Sequence, residues 1–157
     1  MDNDQKKIQF FKKVNGFTGP LARTGFYSRT KIIARLLAKI SLFKNKARRK
    51  ETVKEIAEEW CRMFGLPKYW IIRKVEDETA YCEIHFDCSL EKTGDLNACF
   101  RLMEYDRSLL KKIGGKCVIL ESRADPKTRD CCLLAIRKID DTRVDLVPVH
   151  LKNQSRT

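Results

Sequence analysis

The chain has 157 residues, 43% of them apolar, and a net charge of +12. That length suits one domain with a single real core, and the apolar content excludes wholesale disorder. No apolar run approaches the roughly 20 residues needed to cross a bilayer. The opening MDNDQKKIQFF carries acids and lysines where a signal peptide needs a clean apolar stretch. Seven cysteines, an odd number, all fall between Cys61 and Cys132. A secreted disulfide framework normally uses even numbers, so the expected setting is the reducing cytoplasm.

The charge is unevenly spread. Residues 1–50 hold 14 Lys/Arg against Asp2 and Asp4, whereas residues 51–157 hold 19 basic and 19 acidic residues. The expected organisation is a basic N-terminal arm with a first helix over 1–50 and a charge-neutral α+β core over 51–157, one domain overall.

Residues 1–27 contain Gly16, Gly19, Pro20 and Gly25, which predict a mostly irregular or short-helical lead. Ser28 can cap a helix over about 29–45, where Ile32, Ile33, Leu36, Leu37 and Ile40 recur at helical spacing. A second helix over about 51–64 carries Val53, Ile56, Ala57, Trp60 and Phe64 on one face; Gly65 stops it and Pro67 prevents continuation. The period then changes. Tyr69–Lys74 and Ala80–Phe86 read as strands around the acidic turn 76–78. Asp95 caps a third helix over about 96–113, ended by Gly114-Gly115. Cys117–Ser122, Cys131–Lys138 and Val144–Val149 read as three more strands, the first two separated by the turn 125–130. The order ααββαβββ predicts an α+β fold with an antiparallel or mixed sheet of about five strands and helices packed on it.

With only His85 and His150 as histidines, and no GxSxG or P-loop pattern, any chemistry falls to sulfur and carboxylate. A metal centre needs paired ligands, and the chain has no CxxC. Scattered Cys82, His85 and Cys88 could in principle converge on zinc. However, 82 and 88 share strand parity while His85 points the other way, so no metal is assigned. Adjacent Cys131 and Cys132 face opposite sides of a strand, which argues against a redox pair. The basic arm, with Phe10, Phe11, Phe17, Phe26 and Tyr27 between its cations, suits an anionic membrane surface first and nucleic acid second. The bland alternative is a solvated basic face on a helix whose apolar stripe packs inward.

From Tyr81 to Leu134 the pattern resembles the L-2-amino-thiazoline-4-carboxylic acid hydrolase-like family. The resemblance rests on YCEIHFDC (81–88), LMEYD (102–106), VILES (118–122) and RDCCLL (129–134). Two departures stand out: Met103 occupies a position where the family commonly has cysteine, and Thr128-Arg129 replace a usual glycine. A looser similarity runs to the 4-vinyl-reductase-type domain, a small-ligand-binding module.

The hydrolase resemblance implies Cys88, Asp106 and Cys132 as catalytic positions. Hydrolysis of a cyclic C–N bond needs a nucleophile or activated water and an acid for the leaving group. A thiolate at Cys88 or Cys132 would require a pKa lowered from about 8.5 by a nearby cation. Asp106 would shuttle the proton, and Arg101, Arg107 or Arg123 would hold a substrate carboxylate bidentately. The vinyl-reductase similarity implies instead a non-enzymatic ligand-binding or sensor module. Either way a small molecule is the expected partner, polar or sulfur-containing under the hydrolase reading. No cofactor is implied, and the question of enzyme or binding module stays open.

Overall fold

The computed structural model describes residues 3–24, 27–128 and 130–152. Helices α1 (Asn3–Arg23), α2 (Tyr27–Lys44) and α3 (Val53–Phe64) precede a hairpin of strands β1 (Trp70–Glu76) and β2 (Thr79–Ile84). Helices α4 (Leu96–Leu102) and α5 (Glu104–Ile113) follow, then β3 (Gly115–Glu121), β4 (Cys132–Lys138) and the single turn α6 (Val149–Lys152). The four strands form one antiparallel sheet in the order β1-β2-β4-β3.

The α3 segment is specified at both ends. Thr52 and Glu55 form a reciprocal capping box, and Gly65 takes the left-handed conformation, φ 62°, where a side chain would be strained. Between these ends Ile56, Ala57 and Trp60 are fully buried. The β1–β2 turn is equally local. Asp77 and Glu78 both have positive φ (46° and 53°), the backbone of a type I′ hairpin turn. Strand alternation puts Ala80, Cys82 and Ile84 of β2, with Leu134 and Ile136 of β4, on the face covered by α3 and α5. Helices α1 and α2 form an outer helical layer, α2 against α5 and α1 against α4.

Four expectations need correction. The lead segment is a 21-residue helix. Its apparent breakers are tolerated for separate reasons: Pro20 falls in the last turn, where it removes one bond near the end, and Gly19 is required for close approach. A Cβ there would sit 1.8 Å from Ser89 Oγ. The predicted breaker Gly25, with Phe26, lies outside the described residues. Helix α2 already begins at Tyr27, so Ser28 is inside it. The helix over 96–113 is two helices meeting at Met103, whose ψ of 4° ends α4 and opens α5; the predicted cap holds, with Ala98 N–H donating to Asp95 Oδ1 at 2.8 Å. The fifth strand does not form. Val144 and Val147 are exposed, Pro148 removes a ladder donor, and the segment is held by the Arg137–Asp145 pair at 2.6 and 2.8 Å. Within the 125–130 turn, Arg129 lies outside the described residues.

Candidate functional site

The outer helices do not close fully on the inner layer. They enclose a cavity of about 400 Å³. One wall comes from α1 through Phe10, Phe11, Val14 and Phe17, and another from α2 through Ile33, Ala34 and Leu37. The floor is aromatic: Phe64 stacks on Trp70 with centroids 4.2 Å apart, and Phe11 meets both rings at 5.8 Å. Phe10 and Phe17 are 61% and 63% exposed while also lining the cavity, so its rim is apolar and open to solvent.

Cys88, Asp106 and Cys132, the three positions singled out by the resemblance, all line this cavity. They reach it from three elements. Cys88 stands on the loop after β2, Cys132 opens β4 opposite Ile84, and Asp106 lies in the first turn of α5. Met103 and Cys99 complete that end of the lining.

The electrostatics oppose a thiolate. Burial raises the Cys88 thiol pKa, an effect only partly offset by the Leu90 N–H and the Arg123 charge. Burial likewise pushes Cys132 up to about 12 and Cys99 up to about 11, although Cys132 accepts from Arg123 N–H at 3.4 Å and Cys99 from Ser122 Oγ at 3.0 Å. At neutral pH these groups are neutral thiols, the reverse of the lowered pKa expected for a nucleophile. Asp106 is also perturbed. Burial raises its carboxyl pKa to about 6, against the Trp60 Nε1–H bond at 3.1 Å and the Arg107 charge. Its place at a helix N-terminus makes the charged form tolerable above that pH.

The three arginines expected to hold a substrate carboxylate do not line the cavity; each cross-links the fold. Arg101 donates to the Ala22 carbonyl at 2.8 Å, fixing the end of α1 on α4. Arg107 donates to the Phe100 carbonyl and to Glu104 while lying 4.0 Å over the Phe100 ring. Arg123 donates to the Phe86 carbonyl at 3.1 Å and pairs with Glu91 at 2.8 Å. The cations that do line the cavity are Lys7 and Lys44.

No family model, curated protein or solved structure matches this chain.

The residues that sequence reasoning missed are mainly those of α1. Phe10, Phe11, Val14, Phe17 and Leu21 recur at helical spacing, and that signal was masked by the neighbouring glycines and proline. Trp70 was assigned only to a strand, yet it lines the cavity and its buried Nε1–H finds no acceptor among the described residues.

Proposed function

We propose that this protein binds a small, largely apolar molecule bearing one acceptor end in the cavity between its outer helices and its aromatic floor. The cavity carries the reading: its size falls within the range of small-molecule sites, its lining is mostly apolar, and its polar groups are few. Lys7 and Lys44, which line the cavity, favour an anionic end. This is the non-enzymatic ligand-binding alternative, with a largely apolar ligand in place of the polar or sulfur-containing one of the hydrolase reading. A cytosolic location belongs to the same reading, because it keeps seven thiols reduced. The test is fluorescence titration with an environment-sensitive medium-chain fatty acid, followed by displacement with unlabelled acids of graded length. Saturable one-to-one binding with a length optimum supports the proposal; partitioning without saturation removes it.

The hydrolase alternative draws on the shared lining of Cys88, Cys132 and Asp106 and on an Asp106 pKa of about 6. Neutral thiols, and arginines that bond elsewhere and do not line the cavity, weigh toward binding instead. Turnover of L-2-amino-thiazoline-4-carboxylate that disappears in Cys88→Ser or Cys132→Ser would reverse that balance.

A second observation favours an anionic membrane surface as partner. Ile32, Leu36, Ile40 and Phe43 form an exposed stripe along α2, with Phe43 85% exposed. Arg29, Arg35, Lys39, Lys44 and Lys46 accompany it. An apolar stripe among cations is the pattern of an interfacial helix, and here it borders the cavity rim. Among the described residues no helix is long and apolar enough to cross a membrane, so docking would be peripheral. Sedimentation with phosphatidylserine-containing vesicles, but not neutral ones, tests this reading; equal binding to both removes it.

A further inference from the structure

The parity that separates His85 from Cys82 assigns it to the other face of the sheet. There it does not stand alone. Glu83 and His85 are two residues apart on one line of that face, and His85 Nε2 lies 2.6 Å from Glu83 Oε2. Because Ile84 pairs with Cys132 across β2 and β4, continuing the antiparallel register sets Cys131 opposite His85. A carboxylate oxygen, an imidazole nitrogen and the Cys131 sulfur all lie within 4.8 Å of one another.

We propose that Glu83, His85 and Cys131 form a three-ligand zinc site with an open fourth position, on the sheet face opposite the cavity. The donor set argues for the metal. Thiolate with imidazole and carboxylate suits zinc or a similar borderline-soft ion and disfavours magnesium or calcium, which take oxygen ligands. The spacing is also within reach. Zinc bonds of about 2.0–2.3 Å put tetrahedral donors about 3.2–3.6 Å apart. The Glu83–His85 pair must open by less than about 1 Å, and the sulfur must approach by a similar amount. The Glu83 and His85 side chains are partly exposed and have room to adjust, whereas Cys131 is buried.

An ion-pair network explains only part of the cluster. Arg73 contacts Glu83 Oε2 at 2.7 Å, sharing that oxygen with His85. That accounts for Glu83 and His85; the Cys131 sulfur stands beside the same group and close enough to Arg73 for their charges to interact. The guanidinium competes with the metal for the Glu83 carboxylate. When zinc binds, Cys131 releases its proton to solvent, the imidazole lone pair and Glu83 Oε2 take the metal, and Arg73 shifts to the other carboxylate oxygen. The adjacent cysteines thereby serve opposite faces, Cys132 toward the cavity and Cys131 toward the metal.

The test titrates metal-free, reduced full-length protein with cobalt(II) chloride and reads the visible absorption, with zinc as competitor. The expected result is one cobalt per chain, intense tetrahedral d–d bands and a near-ultraviolet sulfur-to-cobalt band, all displaced by stoichiometric zinc. Cys131→Ser should abolish the sulfur band, whereas Cys88→Ser and Cys61→Ser should retain it. His85→Asn and Glu83→Gln should weaken cobalt binding by at least about tenfold. Arg73→Gln should tighten it, because the competing cation is removed. Circular dichroism and a thermal melt monitor folding of each variant, and His85→Asn, at a partly exposed side chain, decides the matter should Cys131→Ser fail to fold. Absence of a tetrahedral spectrum in excess cobalt overturns the site. So does a sulfur band that survives Cys131→Ser, or affinity unchanged in His85→Asn, either of which would leave an ion-pair network only.

Discussion

The α1–α2 layer and the α3–sheet core are built on opposite terms. In the core, each element carries its own boundary signals, and its apolar residues face one way: Ile56, Trp60, Leu134 and Ile136 are fully buried. In the outer layer, apolar residues face both ways, with Ile33 and Leu37 toward the cavity and Ile32, Leu36 and Phe43 toward solvent. The charge follows the same division, neutral in one part and strongly basic in the other. A chain that spends six or more large apolar side chains on solvent and on a cavity gives up folding stability there. The outer layer is therefore where binding is to be sought, and the core is where stability resides.

Paired substitutions should expose that division. Leu134→Ala should cost about 2–5 kcal/mol of unfolding free energy in a denaturant melt, because it removes a fully buried side chain from the sheet. Leu36→Ser should change stability by less than about 0.5 kcal/mol while lowering binding to anionic vesicles. If Leu36→Ser destabilises as much as Leu134→Ala, the stripe is packed and the contrast fails.

The seam between the two regions gives a second, smaller effect. Helix α1 is clamped to the loop after β2: Lys12 pairs with Asp87 at 2.8 Å and Ser89 Oγ donates to the Asn15 carbonyl at 2.9 Å. Gly19→Ala should cost about 1–3 kcal/mol by overpacking against Ser89. Ser89→Gly should relieve part of that loss, since it removes the two atoms within 3 Å of the new methyl while giving up the Ser89–Asn15 hydrogen bonds. Failure of rescue would mean that α1 does not sit on this loop.

This seam also marks where the sequence stops being legible. Helix α3, both hairpin strands and the two later strands are predicted within a few residues, because their caps, turns and alternation are local. Helix α1 is not, because Gly19 is chosen for contact with Ser89, 70 residues away, and reads locally as a breaker. The break at Met103 and the loss of the fifth strand are equally tertiary. Of the candidate site, the convergence of Cys88, Asp106 and Cys132 on one cavity is foreshadowed by the resemblance. Their ionisation is not, because burial sets it, and the arginine roles are not, because they depend on which carbonyls come near.

Asp106 supplies a pH test of the buried end of the cavity. Its folded pKa of about 6 exceeds the usual 3.8, so the folded state holds the proton more tightly. Stability from this group is present below the unfolded value and is lost as pH rises through about 6. Asp106→Asn removes that dependence. Its stability relative to wild type should improve by about 2 kcal/mol between pH 4 and pH 8, measured by denaturant melts. A difference independent of pH would place the carboxyl in water.

The thiols give a kinetic signal. With its pKa pushed up to about 12, Cys132 should alkylate at pH 7 at least about a hundredfold more slowly than a free thiol. Rapid labelling of Cys88 or Cys132, resolved by peptide mass mapping, would instead mark an activated thiol and favour the hydrolase reading.

We propose the space between the layers as a ligand site rather than a packing defect. Ala34 lines it from α2 and is nearly buried, so Ala34→Phe adds a ring where the ligand would lie. The decisive measurement is the dissociation constant of the fatty-acid reporter for wild type and Ala34→Phe, with melting temperatures recorded alongside. The account predicts at least about tenfold weaker binding with a melting temperature unchanged or raised. Equal affinity in a folded Ala34→Phe variant would contradict it.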